Sequence, residues 1–304
     1  MKSSNTFAAI DIGSFNCRLI VVEKLKDKFK ILHNYSRETN LIKHIAFNNE
    51  FSLKKISQTI NCLIIISKKL KNLKINNYRC VATEACRQVI NPNLFVNEVK
   101  SKTGLNVEII SSYEEGRLSY EGCKTYCNNT KRNGLIFDIG GGSTELTFFN
   151  QPEVNFFTKS SSYGVINLSE KNQIFGKEYV KKQIQKYIND IKQKLELKKK
   201  NLLAIGSCST MTSLCAIFMR LKFYNPRRIE GQILSINDIN QTCELVLNLT
   251  TEEKLKHPCI GKRHELLDNG IYILKSLIEE IPIKEIIVTN KGLRHGMIND
   301  FFGL

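Results

Sequence analysis

A chain of 304 residues that is 42% hydrophobic is long enough for one large domain or two ordinary ones, and its apolar content excludes a disordered polypeptide. Trp is absent and Pro occurs 5 times, which excludes Pro-rich linkers. The net charge of +16 fits either a polyanionic partner (nucleic acid, an anionic membrane, a phosphate-rich small molecule) or a Lys-rich surface such as the solvated helical stretch over 192–200.

Three successive strands are predicted over residues 7–12, 16–23 and 28–36. Leu53, Ile56, Ile60, Leu63, Ile64 and Leu70 then give a helix one apolar face. Residues 78–82 read as a short strand turning into a short helix, 92–102 as a helix stopped near Gly104, 107–110 as a strand and 113–127 as a helix. The polar, turn-like stretch near 126–133 divides the chain into domains 1–127 and 128–304, with the last helix packing back on the first domain. The second half opens with strands near 134–138, 143–150 and 153–159, followed by a Lys-rich helix over 177–200. A strand at 202–205 leads into Gly206-Ser207-Cys208-Ser209-Thr210 and a helix; helices near 235–248 and 264–280, a strand at 286–289 and a last helix complete the chain.

The two halves share a repeat. Ile10-Asp11-Ile12-Gly13-Ser14 recurs as Phe137-Asp138-Ile139-Gly140-Gly141 at an offset of 127 residues, and continuing the alignment pairs Arg18-Leu19 with Glu145-Leu146. Each copy reads as strand, Asp-Ile-Gly, turn, strand, so duplicated α/β domains are expected.

The sharpest chemical signal is Asp138 with Gly140, Gly141, Gly142, Ser143 and Glu145. Consecutive glycines allow close approach of the backbone to a ligand and positive φ, and N–H groups presented by such a turn bind phosphate oxygens. Asp138 and Glu145 would repel phosphate unless a hard cation lay between them, which points to Mg²⁺ or another divalent ion. An ordinary Gly-rich hairpin is the competing reading. In the first copy, Asp11, Gly13, Ser14, Asn16 and Arg18 stand ready to contact phosphate from an opposite wall, forming a clamp across an interdomain cleft. Glu114 and Glu115 open a helix and point about 100° apart, so at most one faces the cleft; both could equally serve the helix dipole. Arg87 is placed to meet a phosphate or to pair with Glu84, and Gly292-Leu293-Arg294-His295-Gly296 is an anion site or a packing turn. No P-loop, dinucleotide-binding, His-Glu-x-x-His or Gly-x-Ser-x-Gly motif occurs.

Ten Cys without a Cys-x-x-Cys, several inside apolar runs, predict reduced and buried thiols. No signal peptide and no membrane-length apolar run is read, so a soluble cytoplasmic protein is expected.

Taken together in chain order, residues 9–14, 81–87, 108–118, 137–146, 162–165, 206–210, 258–261 and 292–296 resemble the exopolyphosphatase / guanosine pentaphosphate phosphohydrolase family of the actin-like ATPase superfamily, in its short two-domain form. The resemblance implies two actin-like (ribonuclease H-like) domains with mixed five-stranded sheets and an active site in the cleft. It implies hydrolysis of polyphosphate or of the 5′ γ-phosphate of guanosine pentaphosphate, with Mg²⁺ as cofactor. It casts Glu115 as the general base, Arg87 as an active-site arginine, Glu145 and Asp138 as metal- or water-orienting acids, and Gly206 and Ser207 as part of a second phosphate wall. A homodimer is implied, with neither a nucleic-acid nor a membrane partner. A kinase or ATPase of the same fold and a non-catalytic polyphosphate or guanosine tetraphosphate sensor are the alternatives. Ser209, Lys262, Glu265 and Asn290 depart from the family pattern.

Overall fold

The computed structural model describes residues 5–26, 28–128, 133–150, 155–194 and 202–304. The expected turn at 129–132, the start of the third strand of the second half at 153–154, and the end of the Lys-rich helix at 195–200 lie outside the described residues.

In the first half the chain forms β1 (Thr6–Ile12), β2 (Asn16–Leu25), β3 (Lys28–Glu38), α1 (Ile45–Asn48), α2 (Leu53–Asn72), β4 (Tyr78–Ala82), α3 (Glu84–Gln88), α4 (Pro92–Thr103), β5 (Glu108–Ile109) and α5 (Ser112–Cys127). The second half adds β6 (Gly134–Ile139), β7 (Thr144–Phe149), β8 (Phe156–Ser161), α6 (Asn167–Phe175), α7 (Lys177–Lys194), β9 (Leu202–Gly206), α8 (Ser209–Phe218), α9 (Pro226–Ile229), β10 (Gln232–Ser235), α10 (Ile236–Asn248), α11 (Thr251–Lys256), α12 (His264–Glu280), β11 (Ile283–Val288) and α13 (Leu293–Phe302). The chain folds into two compact units, one made of Met1–Gly122 with Gly292–Leu304 and the other of Cys123–Lys291.

The sheet of the first unit has the order β3-β2-β1-β4-β5, antiparallel on the β1–β2–β3 side and parallel through β4 and β5. Central β1 is buried along nearly its whole length, as the unbroken run Phe7-Ala8-Ala9-Ile10 requires of a strand covered on both faces. Edge strand β3 alternates exposed and half-buried residues instead. On one sheet face Phe7, Ala9, Ile20 and Val22 pack with Leu118 of α5 and with Met297 and Ile298 of α13. Helix α2 buries Ile60, Leu63, Ile66 and Leu70, but Leu53, assigned to its apolar face from spacing, is 83% exposed in the first helical position.

The second sheet repeats the plan as β8-β7-β6-β9-β11 and adds β10, antiparallel to β11, at the edge. It therefore has six strands where five were expected. The four residues of β10 bury Leu234 and little else, too short a stretch to show a period of two. Helix α6 is a second addition; it buries one apolar residue, Leu168, and its sequence shows no apolar stripe. All ten cysteines are buried free thiols. Among the described residues no helix is long and apolar enough to cross a membrane.

Candidate active site

The two copies of the repeat form matching hairpins. Gly13 N–H donates to Asn16 O at 2.9 Å, and Gly140 N–H donates to Ser143 O at 2.9 Å. Strand register sets Asp11 opposite Arg18 in the first hairpin and Asp138 opposite Glu145 in the second. Directly opposed residues of an antiparallel pair project from the same sheet face, so each hairpin carries two charged side chains on one side of its turn.

A strap of chain holds each turn by its carbonyls. In the second unit Gly140 O accepts from Val165 N–H and Gly141 O from Ile166 N–H, both at 2.9 Å, and Gly142 O accepts from Asn167 Nδ2 at 2.8 Å. In a trans peptide the next N–H points opposite to the carbonyl. The N–H groups of Gly141, Gly142 and Ser143 are thereby directed away from the strap, as an anion-binding nest requires. Fully buried Asn167 braces the strap by accepting from Gly164 N–H at 2.8 Å and donating to Ser162 O at 3.0 Å. The first unit does the same: Ser14 O accepts from Ile42 N–H at 3.1 Å, and Phe15 O accepts from Thr39 and Asn40 N–H, both at 2.9 Å.

Glycine is also needed in the strap that lies against the turn. Space is the constraint: a Cβ on Gly164 would stand 2.5 Å from Gly141 C and Gly142 N, so the strap can lie this close only as glycine.

Glu145 is buried and accepts from Ser160 Oγ at 2.8 Å. Its charge and burial together push the Tyr187 phenol well above its ordinary pKa, burial being the larger cause. Asp138 is partly exposed, and with burial as the main cause its charge helps push the Cys208 thiol, at the N-cap of α8, up to about 12. That thiol stays neutral and is a poor metal ligand. Gly206 ends β9 beside Phe137 of β6, and Ser207 N–H donates to Phe137 O at 3.1 Å. Two hard carboxylates on one face suit Mg²⁺. This ion takes one or two carboxylates and fills its octahedron with water and phosphate oxygens.

In the first unit the structure distinguishes the two adjacent acids of α5. Glu114 accepts from Arg79 at 2.9 Å and from Arg117 at 2.7 and 3.0 Å, which hold its carboxyl below the usual range. Arg117 goes on to pair with Asp300, and Arg79 with Glu108. Glu115, 13% exposed, instead meets Arg87 at 2.8 Å. Arg87 also binds Glu84 at 2.8 Å and donates to Ile110 O at 2.9 Å, which moors it at the C-terminal end of β5. Arg87 thus pairs with Glu84 and Glu115 together. Glu84 was not singled out as a site residue from sequence; its i,i+3 spacing to Arg87 was the available signal.

Each unit gathers its candidates at the C-terminal ends of parallel strands, the usual ligand edge of an open α/β sheet. Asp11 and Arg18 face each other, and Arg87 and Glu115 touch, within the first unit. Asp138, Gly140, Gly141, Gly142, Ser143, Glu145, Gly206 and Ser207 cluster at the ends of β6, β7 and β9 in the second.

Residues 20–303 match the profile of the Ppx/GppA phosphatase family. A bifunctional 3-dehydroquinate synthase/phosphatase from Fusobacterium nucleatum is 27% identical over 322 residues, covering 98% of this chain and 47% of that protein. A guanosine-5′-triphosphate,3′-diphosphate pyrophosphatase from Aliivibrio fischeri is 25% identical over 317 residues, covering 98% and 60%. The chain therefore spans 47 to 60% of the length of these curated relatives. A crystal structure of the Aquifex aeolicus Ppx/GppA family member superposes with a TM-score of 0.78 at 27% identity, over 98% of this chain and 97% of that one. An exopolyphosphatase structure from Cytophaga hutchinsonii, 19% identical, shares the fold with a TM-score of 0.86 over 98% of both chains.

Proposed function

The chain belongs to the Ppx/GppA phosphatase family, and from that premise we propose that it is a phosphohydrolase. It releases terminal orthophosphate from inorganic polyphosphate, the 5′ γ-phosphate from guanosine pentaphosphate, or both, by attack of water. The observation that carries this reading is the strapped β6–β7 turn: three successive N–H groups directed to one side, flanked by Asp138 and Glu145. Such a turn binds phosphoryl oxygens and stabilises the charge that develops on them.

Water must also lose a proton as it attacks. Glu115 accepts that proton, and Arg87 holds its carboxylate in place. Arg87 is shared with Glu84, so one guanidinium is divided between two carboxylates. Mg²⁺, held by Asp138 and Glu145, would neutralise phosphate charge and orient the leaving group. Gly13, Ser14, Asn16 and Arg18 hold further phosphate oxygens in the first unit, where Asp11 would meet phosphate only through a bridging cation, with Gly206 and Ser207 assisting in the second. The protein acts in the cytoplasm as a homodimer.

A side-by-side assay of phosphate release from polyphosphate and guanosine pentaphosphate, with Mg²⁺ and no acceptor, tests the proposal. Glu115→Gln lowers kcat by about 10²–10⁴, the usual worth of a general base, while Glu114→Gln stays within a few-fold of wild type. Equal activity of Glu115→Gln and wild type removes Glu115 as the base; no release from either substrate by the wild type removes the hydrolase.

A further inference from the structure

Arg294 lies in the first turn of α13, the helix that covers one face of the first sheet. That face runs along β1 as Phe7, Ala9 and then Asp11, since alternate residues share a side. Across the strand pair it continues with Arg18 opposite Asp11. Two glycine contacts fix the height of α13 on α5: a Cβ on Gly296 would overlap the Leu118 carbonyl, and one on Gly122 would overlap the Gly292 carbonyl.

This packing brings Arg294 within electrostatic reach of both Asp11 and Arg18. Burial and the Arg18 charge press the Arg294 guanidinium down to about 10, while Asp11 acts in the opposite sense. Among the described residues the side chains of Asp11 and Arg18 form no ion pair or hydrogen bond, and Arg294 spends one N–H on Asn34 Oδ1 at 3.2 Å. Two guanidiniums with most of their donors unspent therefore lie within electrostatic reach of a single carboxylate that neither bonds. Holding two like charges together is unfavourable unless an anion completes the cluster. Both arginines keep part of their surface accessible, as an incoming anion requires.

We propose that Arg18 and Arg294 form a two-arginine clamp for a phosphate group of the substrate, making Arg294 a substrate-binding residue of the first unit. The clamp rests on the phosphohydrolase reading and deepens it: it selects oligophosphate anions over monophosphates, because one phosphate occupies the clamp while another reacts. Arg is suited to this because its planar fork can hold two phosphate oxygens at once. The competing role is docking of α13 on β3 through Asn34, which an Asn34 variant isolates.

The test is calorimetric titration of inorganic tripolyphosphate, with Mg²⁺, into the full chain carrying Glu115→Gln to prevent turnover. Adding Arg294→Gln is expected to weaken binding roughly tenfold or more, the worth of a charge-assisted hydrogen bond, and to flatten its salt dependence. Adding Asn34→Ala is expected to leave the affinity within about twofold. Should Arg294→Gln fail to fold, Arg294→Lys carries the test: a point charge in place of the fork weakens binding several-fold but retains the salt dependence. Unchanged affinity in the folded Arg294 variants overturns the clamp and leaves the hydrolase reading standing. Equal weakening by Asn34→Ala assigns Arg294 to docking and also overturns it. Absence of tripolyphosphate binding by both the Glu115→Gln protein and the wild type overturns the hydrolase reading and the clamp with it.

Discussion

Replacing Gly164 by Ala tests whether the strap sets the position of the turn proposed to bind phosphate. The added Cβ would stand 2.5 Å from Gly141 C and Gly142 N, and ordinary contact begins at 3.4 Å. Backbone therefore has to give by the difference, about 0.9 Å, and none of the atoms met is the end of a flexible side chain. Overpacking of this kind costs about 1–3 kcal/mol in stability. The catalytic cost is larger, because displacement of a reacting constellation by about 1 Å lowers the rate by roughly 10²-fold. Phosphate release from polyphosphate and thermal unfolding are measured together, with Gly104→Ala as the control. Gly104 has φ 75° with open space around its Cβ position, so its variant is strained by about 1 kcal/mol but displaces nothing near the turn. Gly164→Ala is expected to lose activity out of proportion to its stability, and Gly104→Ala to keep full kcat. A folded Gly164→Ala protein with wild-type kcat would refute the claim that the strap positions the turn.

Other consequences concern charge and packing. Glu114 has its carboxyl pKa held down by Arg117 and Arg79, so its contribution is present above the ordinary value of 4.5 and is lost as pH falls through its lower folded value. The melting-temperature gap between wild type and Glu114→Gln should therefore be open at neutral pH and close in acid; a gap that persists there contradicts the ion-pair assignment. Gly296→Ala drives a Cβ into the Leu118 carbonyl between α13 and α5 and should lower stability by about 3 kcal/mol in denaturant unfolding. With a net charge of +16, capture of a polyanion should weaken as salt rises, so KM for polyphosphate increases with ionic strength. A KM independent of salt would make the excess of lysine merely compositional.

The sequence alone determined the parts of this protein that are local. Asp-Ile-Gly at 11–13 and 138–140 marks both hairpins, because a strand, a tight turn and a returning strand are specified by consecutive residues. The long apolar stripe of α2 and the unbroken apolar runs of β1 and β6 were readable for the same reason. Short elements were not: β10 and α6 each bury too few apolar residues to print a period, and they exist because a neighbouring sheet edge or strap receives them. Tertiary structure alone separated the partners of Glu114 from those of Glu115. Adjacent helical residues point about 100° apart, and only the positions of Arg79, Arg117 and Arg87 reveal that Glu114 joins one ion-pair network and Glu115 another. It also decided what the glycines are for. Gly164 meets Gly141, and Gly296 meets Leu118 across 178 residues of sequence, so the close approach at each lies between segments that no local pattern connects. Arg294 reaches Asp11 and Arg18 through the second of these contacts, which is why its place beside them is a property of packing and not of the motif that contains it.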